Sequence, residues 1–317
     1  MKRILMTALA MLLVATTAFA SGKKDNDETT KWFKVGDIHG VRANSAYYIT
    51  YEEGDSDLIE VTCPKETMEY LSIKNSNGIL TLGINWEKAK RDRKHVSVKV
   101  KNNNNITISN GNCQLQGPIK VKAKSRQLDV IILGGASTLK TKGTFKGGKA
   151  TIKLSGASHV EKTSLSVEDV YADLSGATSI SINGSFKSVN AGLSGASSLT
   201  INGNMVGFDI DCSGASSVKA STHANKGKLE LSGASKATID GSIQDLEIEC
   251  SGASSAALGN LTARNIEVEV SGASNAKLNV LSSIKGTVSG ASSLTYSGSP
   301  ATEALEKSRT SSIRKLD

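Results

Sequence analysis

The sequence predicts an all-β protein wound as a right-handed parallel β-helix, a solenoid, with an N-terminal β segment capping it. Three observations carry this. A phrase close to Ser-Gly-Ala-Ser recurs nine times between residues 134 and 292 at near-constant spacing. Apolar and polar residues alternate on both sides of it, and Gly is abundant (30) where Pro (3) is scarce. Many short strands joined by tight turns suit that composition better than a helical layer does.

The chain opens "MKRILMTALAMLLVATTAFA", a basic start and an apolar run closed by Ala18-Phe19-Ala20. This reads as a secretory signal peptide over residues 1–20, followed by a linker over 21–29. The run is shorter than the ~20 residues that cross a bilayer, so no transmembrane segment is expected. No Cys stands at the cleavage point to carry a lipid anchor. Export to the periplasm, the cell surface or the extracellular space is therefore expected.

Residues 30–103 hold seven of the thirteen aromatics, including Trp32, Phe33, Tyr47, Tyr48 and Trp86, and read as short alternating strands such as "ILTLGI" and "VSVKV". They are expected to cap the first coil, with the β-helix itself over 104–299. Removing Lys2 and Arg3 from 38 basic residues leaves 36 against 30 acidic ones. That mild excess clusters in "EKAKRDRKHVSVKVK" without interleaved aromatics, which argues against a nucleic-acid partner.

The repeat is read from its Gly: 135, 156, 176, 195, 214, 233, 252, 272 and 290, at intervals of 18 to 21 residues. Such a period marks a solenoid. Two residues before each Gly stand Leu133, Leu154, Leu174, Leu193, Cys212, Leu231, Cys250, Val270 and Val288, every one apolar. Four residues after it stand Leu139, Val160, Ile180, Leu199, Val218, Ala237, Ala256, Ala276 and Leu294. Period two on each side means two strands with one buried face apiece. A second corner follows eight residues past the marker, at Gly143, Gly184, Gly203, Gly241 and Gly298.

One such coil cannot bury its apolar side alone, but stacked coils pair like strands in parallel ~4.8 Å apart. Right-handed winding follows from the strong bias of parallel crossovers. The Ser-Gly-Ala-Ser phrase is then the corner between two sheets. Gly supplies backbone freedom and Ala little volume, so a larger residue at the Ala position is expected to cost ~1–3 kcal/mol by overpacking. "SRTSSIRKL" reads as a degenerate terminal repeat within residues 300–317, with Arg309 where Gly would stand, and "NGNCQL" offers an imperfect copy at Gly111.

The polar residues give candidate sites. Asp209, Asp211, Glu230, Glu247, Glu249, Glu267 and Glu269, with Asp173, fall on outward positions beside the buried column. Stacked ~5 Å apart they form a carboxylate ladder, a candidate for Ca²⁺ because that ion takes several oxygens; the competing reading is a solvated face softened by Lys228. No calcium-loop motif occurs, and no other cofactor is expected. Cys212 and Cys250 share a column two coils apart, ~9.6 Å, too far for a disulfide. Whether Cys63 and Cys113 pair is left open. His39, His95, His159 and His223 are scattered, and no local cluster breaks the repeat as a glycoside-cleaving site would require.

The serial corners, the secretory start and the lead-in "FKVGDIHGVRANSAYYITYEEGDSDLIEVTCPKETMEYLSIKNSNGILTLGI" together resemble the bacterial family called putative auto-transporter adhesin, head GIN domain, common in Bacteroidetes. The resemblance spans nearly the whole chain after the signal. It implies a right-handed β-helix and an adhesin-like role, and it brings no catalytic residue. Only 27 residues follow Gly290, too few for the outer-membrane barrel of an autotransporter, so self-translocation is not expected. The reading that results is an exported, non-enzymatic binding or structural protein presenting ladder-lined sheets to a glycan, a surface protein or the envelope. The alternative is a carbohydrate-active enzyme on the same scaffold. Along the repeats only Phe145, Tyr171, Phe186, Phe208 and Tyr296 could serve as sugar platforms, so the aromatic N-terminal segment is the preferred place for a ligand.

Overall fold

A computed structural model of the chain describes residues 28–91, 97–101, 105–109 and 115–316. The predicted signal peptide, most of the linker, Gly111, His95 and Cys113 lie outside these residues.

The described chain is a parallel β-solenoid of about ten turns. Its register follows the sequence columns. Leu193 pairs with Cys212, Cys212 with Leu231, and Leu231 with Cys250, each in the next coil. The whole column from Leu133 to Val288 is buried, as is the second one from Leu139 to Leu294. Alternation places one face of each strand inside a shared core and the other in solvent, so the burial of each coil depends on its neighbours. From residue 217 the strands run unbroken from one Ser-Gly-Ala-Ser corner to the next, as Ser217–Leu231, Lys236–Cys250, Ser255–Val270 and Asn275–Val288. The second corner there is a bend inside a continuous ladder, with Gly241 at φ 118°.

The drift in repeat length has a local cause. The pairing of His159–Ser166 with Ser179–Asn183 shifts register between Val160 and Thr163. That bulge turns Lys162 out to solvent and puts Thr163 in the buried position. The extra residue of a 20-residue interval is thus absorbed without disturbing the columns.

The corner differs from expectation. The Ala is exposed at the tip in most coils, for example Ala196, Ala215 and Ala234. The residue that turns inward is the following hydroxyl residue: Ser158, Thr178, Ser197, Ser216 and their successors to Ser311 are all buried. Overpacking therefore belongs to this Ser file, not to the Ala. The Gly keeps its assigned part, and its carbonyl accepts the Ala N–H of the next coil, as in Ala234 to Gly214 at 2.7 Å.

The solenoid also begins earlier than residue 104. Gly40–Ser45 pairs in parallel with Val130–Gly135, and Tyr47–Glu52 with Thr138–Lys142, so "GVRANSAYYITYE" is already a coil. Beneath it Ile79–Ile84 and Ile119–Lys124 pair with the same two strands on their other edges, as a split coil. Antiparallel strands then cover that end: Leu71–Ser76 on Ile79–Ile84, and Leu58–Pro64 with Glu28–Lys34 beside Ile119–Lys124. An antiparallel cap presents edges unlike those of the coils, which discourages further stacking. Of the imperfect copy around Gly111, the described Leu115 lies opposite Ile108 in a separate antiparallel three-stranded sheet.

At the other end Thr302–Lys307 and Ser312–Lys315 pair with Asn275–Val288 and Ser293–Ser297, so the degenerate repeat is a true coil. Lys307 pairs with Val288 and so stands where the inward apolar column would continue. A charge there opposes growth of the core.

Candidate functional site

The outward positions of the sheet ahead of each Ser-Gly-Ala-Ser corner form a lattice two residues wide. Going up the stack its rows are Thr151 and Lys153, Tyr171 and Asp173, Asn190 and Gly192, then Asp209 and Asp211. Above these come Lys228 and Glu230, Glu247 and Glu249, and Glu267 and Glu269. Each row is one strand, so successive rows are ~4.8 Å apart.

All seven candidate calcium residues lie on this lattice, as the spacing required. Their chemistry differs from a calcium cage. Lys228 Nζ reaches Glu230 at 2.7 Å, Glu247 at 3.5 Å and Glu249 at 4.0 Å, and Lys285 Nζ reaches Glu267 at 2.9 Å. The Glu230 hydrogen bond, with the nearby carboxylates, holds the Lys228 ammonium well above the usual lysine range. Among the described residues no three His, Cys, Asp or Glu side chains come together closely enough to hold a metal ion. An extended strand fixes successive carboxylates in separate rows, whereas a Ca²⁺ site needs a loop that turns six or more oxygens onto one point. Of the residues assigned to calcium, Asp209, Asp211, Glu230, Glu247, Glu249, Glu267 and Glu269, the two lysines thus pair with Glu230, Glu247, Glu249 and Glu267 in the upper part of the ladder.

Lower on the same face the lattice opens. Gly192 has no side chain between Asp173 and Asp211, its register partners on either side, and a Cβ built there would meet nothing within 4 Å. Around this gap lies a depression of about 410 Å³ lined by Tyr171, Asp173, Asn190, Asp209, Asp211 and Lys153 among others. Tyr171 is 45% exposed, and Lys149 Nζ lies 5.7 Å from its ring centroid. A second depression of about 450 Å³ shares Lys153 and Asp173 and continues down the stack to Arg42 and Asn44.

Tyr171 is the residue that sequence reasoning underrated. Phe145, Phe186, Phe208 and Tyr296 are buried, which leaves Tyr171 as the exposed aromatic of that group. The signal was available, because Tyr171 stands one residue before the inward Ala172 and so on the outward parity. In the N-terminal segment Trp32 and Tyr48 are exposed at 36% and 38%, while Tyr47 and Tyr51 turn inward and bond Gly83 O and Gln127 O.

The remaining candidates are structural. Cys212 and Cys250 are buried with Leu231 between them. Burial pushes both thiols up to about 11, and the Cys63 thiol to about 12. His39 binds Asn77 O and faces Asp129 at 3.6 Å, and His159 contacts Ser179. The group beside His159 is the Ser179 hydroxyl, its register partner on the next coil.

The family called putative auto-transporter adhesin, head GIN domain, matches residues 37–207 and 198–300. This chain belongs to that family. Among solved structures it is similar to a putative adhesin from Parabacteroides distasonis ATCC 8503, at 16% identity and TM-score 0.47 over 92% of this chain and 98% of that one. A putative adhesin from Parabacteroides merdae ATCC 43184 is similar at 15% identity and TM-score 0.40, over 92% and 98%. A structure named as a putative lipid binding protein from P. distasonis is similar at 16% and TM-score 0.43, over 93% and 98%. Among curated proteins none matches the chain. For this head GIN domain protein the fold and the family thus rest on register and family match, and the site rests on its own residues. Among the described residues no helix is long and apolar enough to cross a membrane.

Proposed function

We propose that this protein is an exported, non-enzymatic adhesin that presents the outward lattice of its solenoid to a partner on a surface. The observation that carries the reading is the parallel pairing that continues from coil to coil between Gly40 and Lys315, which fixes outward side chains in rows on the scaffold. A long, stiff face of this kind suits repeated contacts with an extended partner. Membership of the adhesin family supports the same reading.

One observation favours the enzymatic alternative enough to test it. Asp173 and Asp211 flank the Gly192 gap two coils apart, ~9.6 Å by strand spacing, near the outer limit of about 9.5 Å for the carboxyl pair of an inverting glycosidase. Two assays separate the readings. Purified protein is expected to coat the surface of bacterial or host cells in a saturable way, and to release no reducing ends from a polysaccharide panel. Turnover abolished by Asp173→Asn or Asp211→Asn would replace the adhesin with a hydrolase.

A further inference from the structure

We propose that the depression around Tyr171 and Gly192 is a saccharide-binding site, with the ring of Tyr171 as stacking platform and the gap at Gly192 as the seat of an uncharged pyranose. The proposal rests on the adhesin reading and names the chemistry of its partner.

A sugar ring has an apolar C–H face and a rim of hydroxyls, so its site needs an exposed aromatic beside clustered hydrogen-bond acceptors and donors. The lattice holds both. Tyr171 is exposed, and its register neighbour across the strand is Asn190, whose amide can both donate and accept. Asp173 shares the strand of Tyr171, while Asp209 and Asp211 stand one row beyond Gly192. Carboxylates accept from adjacent sugar hydroxyls as charge-assisted bonds, the stronger kind. Gly192 gives the ring room to reach them, since a side chain on this row would stand between Asp173 and Asp211. The depression, about 410 Å³, falls in the size range of small-ligand sites.

Charge selects among glycans. Three carboxylates, Asp173, Asp209 and Asp211, line the Tyr171 depression against Lys153, with exposed Lys149 as a second ammonium 5.7 Å from the Tyr171 centroid. The balance stays negative and disfavours a uronate or sialyl group, and a sugar stacked on Tyr171 takes the place of the Lys149 head. Length is set by the stack. Arg42, Ile132, Lys153, Asp173, Gly192 and Asp211 are successive register partners on one outward file. Five strand spacings of ~4.8 Å make a track of ~24 Å, and the neighbouring depression occupies its lower half. An extended oligosaccharide lying along the file would place successive rings over successive coils.

The test is calorimetric titration of the full chain with uncharged cello-, manno- and chito-tetraose, and with tetragalacturonate as the acidic probe. At least one uncharged tetramer is expected to bind, and Tyr171→Ala to weaken it about tenfold or more, the loss of a stacked ring. Tyr171→Phe keeps the platform and is expected to stay within about threefold of wild type. Gly192→Leu fills the gap and is expected to weaken binding like Tyr171→Ala. Its Cβ meets no atom within 4 Å, so the side chain starts into open space. Equal melting temperatures show that each variant is folded. Binding that survives both Tyr171→Ala and Gly192→Leu, or binding of tetragalacturonate alone, overturns the proposal. A protein that coats cells yet binds none of the tetramers also overturns it and leaves the adhesin reading standing; one that does neither removes both.

Discussion

Gly233 lies so close over Gly214 that the Gly214 carbonyl oxygen would stand 2.7 Å from any Cβ added at position 233. The same oxygen accepts the Ala234 N–H, so the two coils cannot separate to make room without losing that bond. Gly233 also sits at φ +65°, where an L side chain is strained. Gly233→Ala is therefore expected to destabilise the protein by at least about 1–2 kcal/mol, the penalty of the left-handed conformation alone. Ala234→Leu, at the exposed tip, is expected to fall within about ±0.5 kcal/mol. Urea unfolding of the two variants checks the contrast, and equal midpoints would mean that the corner does not depend on its Gly.

The buried hydroxyl file makes an opposite pair of predictions. Ser235 Oγ is buried without a hydrogen-bond partner, whereas Ser292 Oγ donates to Val270 O at 3.1 Å. Removing an unsatisfied buried hydroxyl is neutral or gains up to about 1 kcal/mol, while removing a bonded one loses about 1 kcal/mol. Ser235→Ala is thus expected to leave the thermal midpoint unchanged or raise it, and Ser292→Ala to lower it. Ser235→Leu overpacks the stack and is expected to cost about 1–3 kcal/mol, the effect first anticipated at the Ala. A loss in Ser235→Ala equal to that in Ser292→Ala would show that the Ser235 hydroxyl has a partner after all.

Those two cases also mark what the sequence made legible. The columns at Leu193, Cys212 and Leu231 could be read because period-two alternation and a fixed repeat leave one way to bury them. The inward turn of Ser235 could not, because Ser and Ala are both small and parity through a corner is set by backbone dihedrals that composition does not encode. The coil at Gly40–Ser45 was hidden for a different reason: Asn44-Ser45-Ala46 lacks the marker Gly, and its partner strand lies some ninety residues away. On the outer face, parity placed the acidic residues in one ladder with Lys228 among them, in line with the solvated-face reading. What parity did not give is that the long Lys228 stem crosses between rows to reach Glu230, Glu247 and Glu249.

Lys228 gives a prediction with a definite sign. Its pKa is raised in the folded state, first by the Glu230 hydrogen bond, and so its contribution to stability is complete below the unfolded lysine value of ~10.4. The contribution is lost as pH rises through the folded value. Lys228→Met is expected to lower the melting temperature at neutral pH and low salt, with the gap to wild type narrowing in high salt and above pH ~10.4. Millimolar Ca²⁺ is expected to shift the wild-type melting temperature no more than Mg²⁺ does. A calcium-specific rise in thermal scans would restore the metal reading of Glu230, Glu247 and Glu249.

The thiols probe whether the coil stack opens as a unit. Burial raises Cys212 and Cys250 to about 11 and Cys63 to about 12, so each stays protonated and inaccessible at neutral pH. Unfolded thiols ionise near ~8.5, and the unfolded chain therefore holds fewer protons than the folded one above that pH. Stability is expected to decline as pH climbs from ~8.5 through the folded thiol values, the reverse of a depressed carboxyl. In a Cys113→Ser background Ellman's reagent is expected to leave all three thiols unlabelled at pH 8 until urea reaches the unfolding transition. Cys212 and Cys250 share one column with Leu231 between them, so they are expected to become reactive together. If Cys250 labelled at a lower urea concentration than Cys212, the coils would be unzipping from one end instead of unfolding cooperatively, as nearest-neighbour stacking permits.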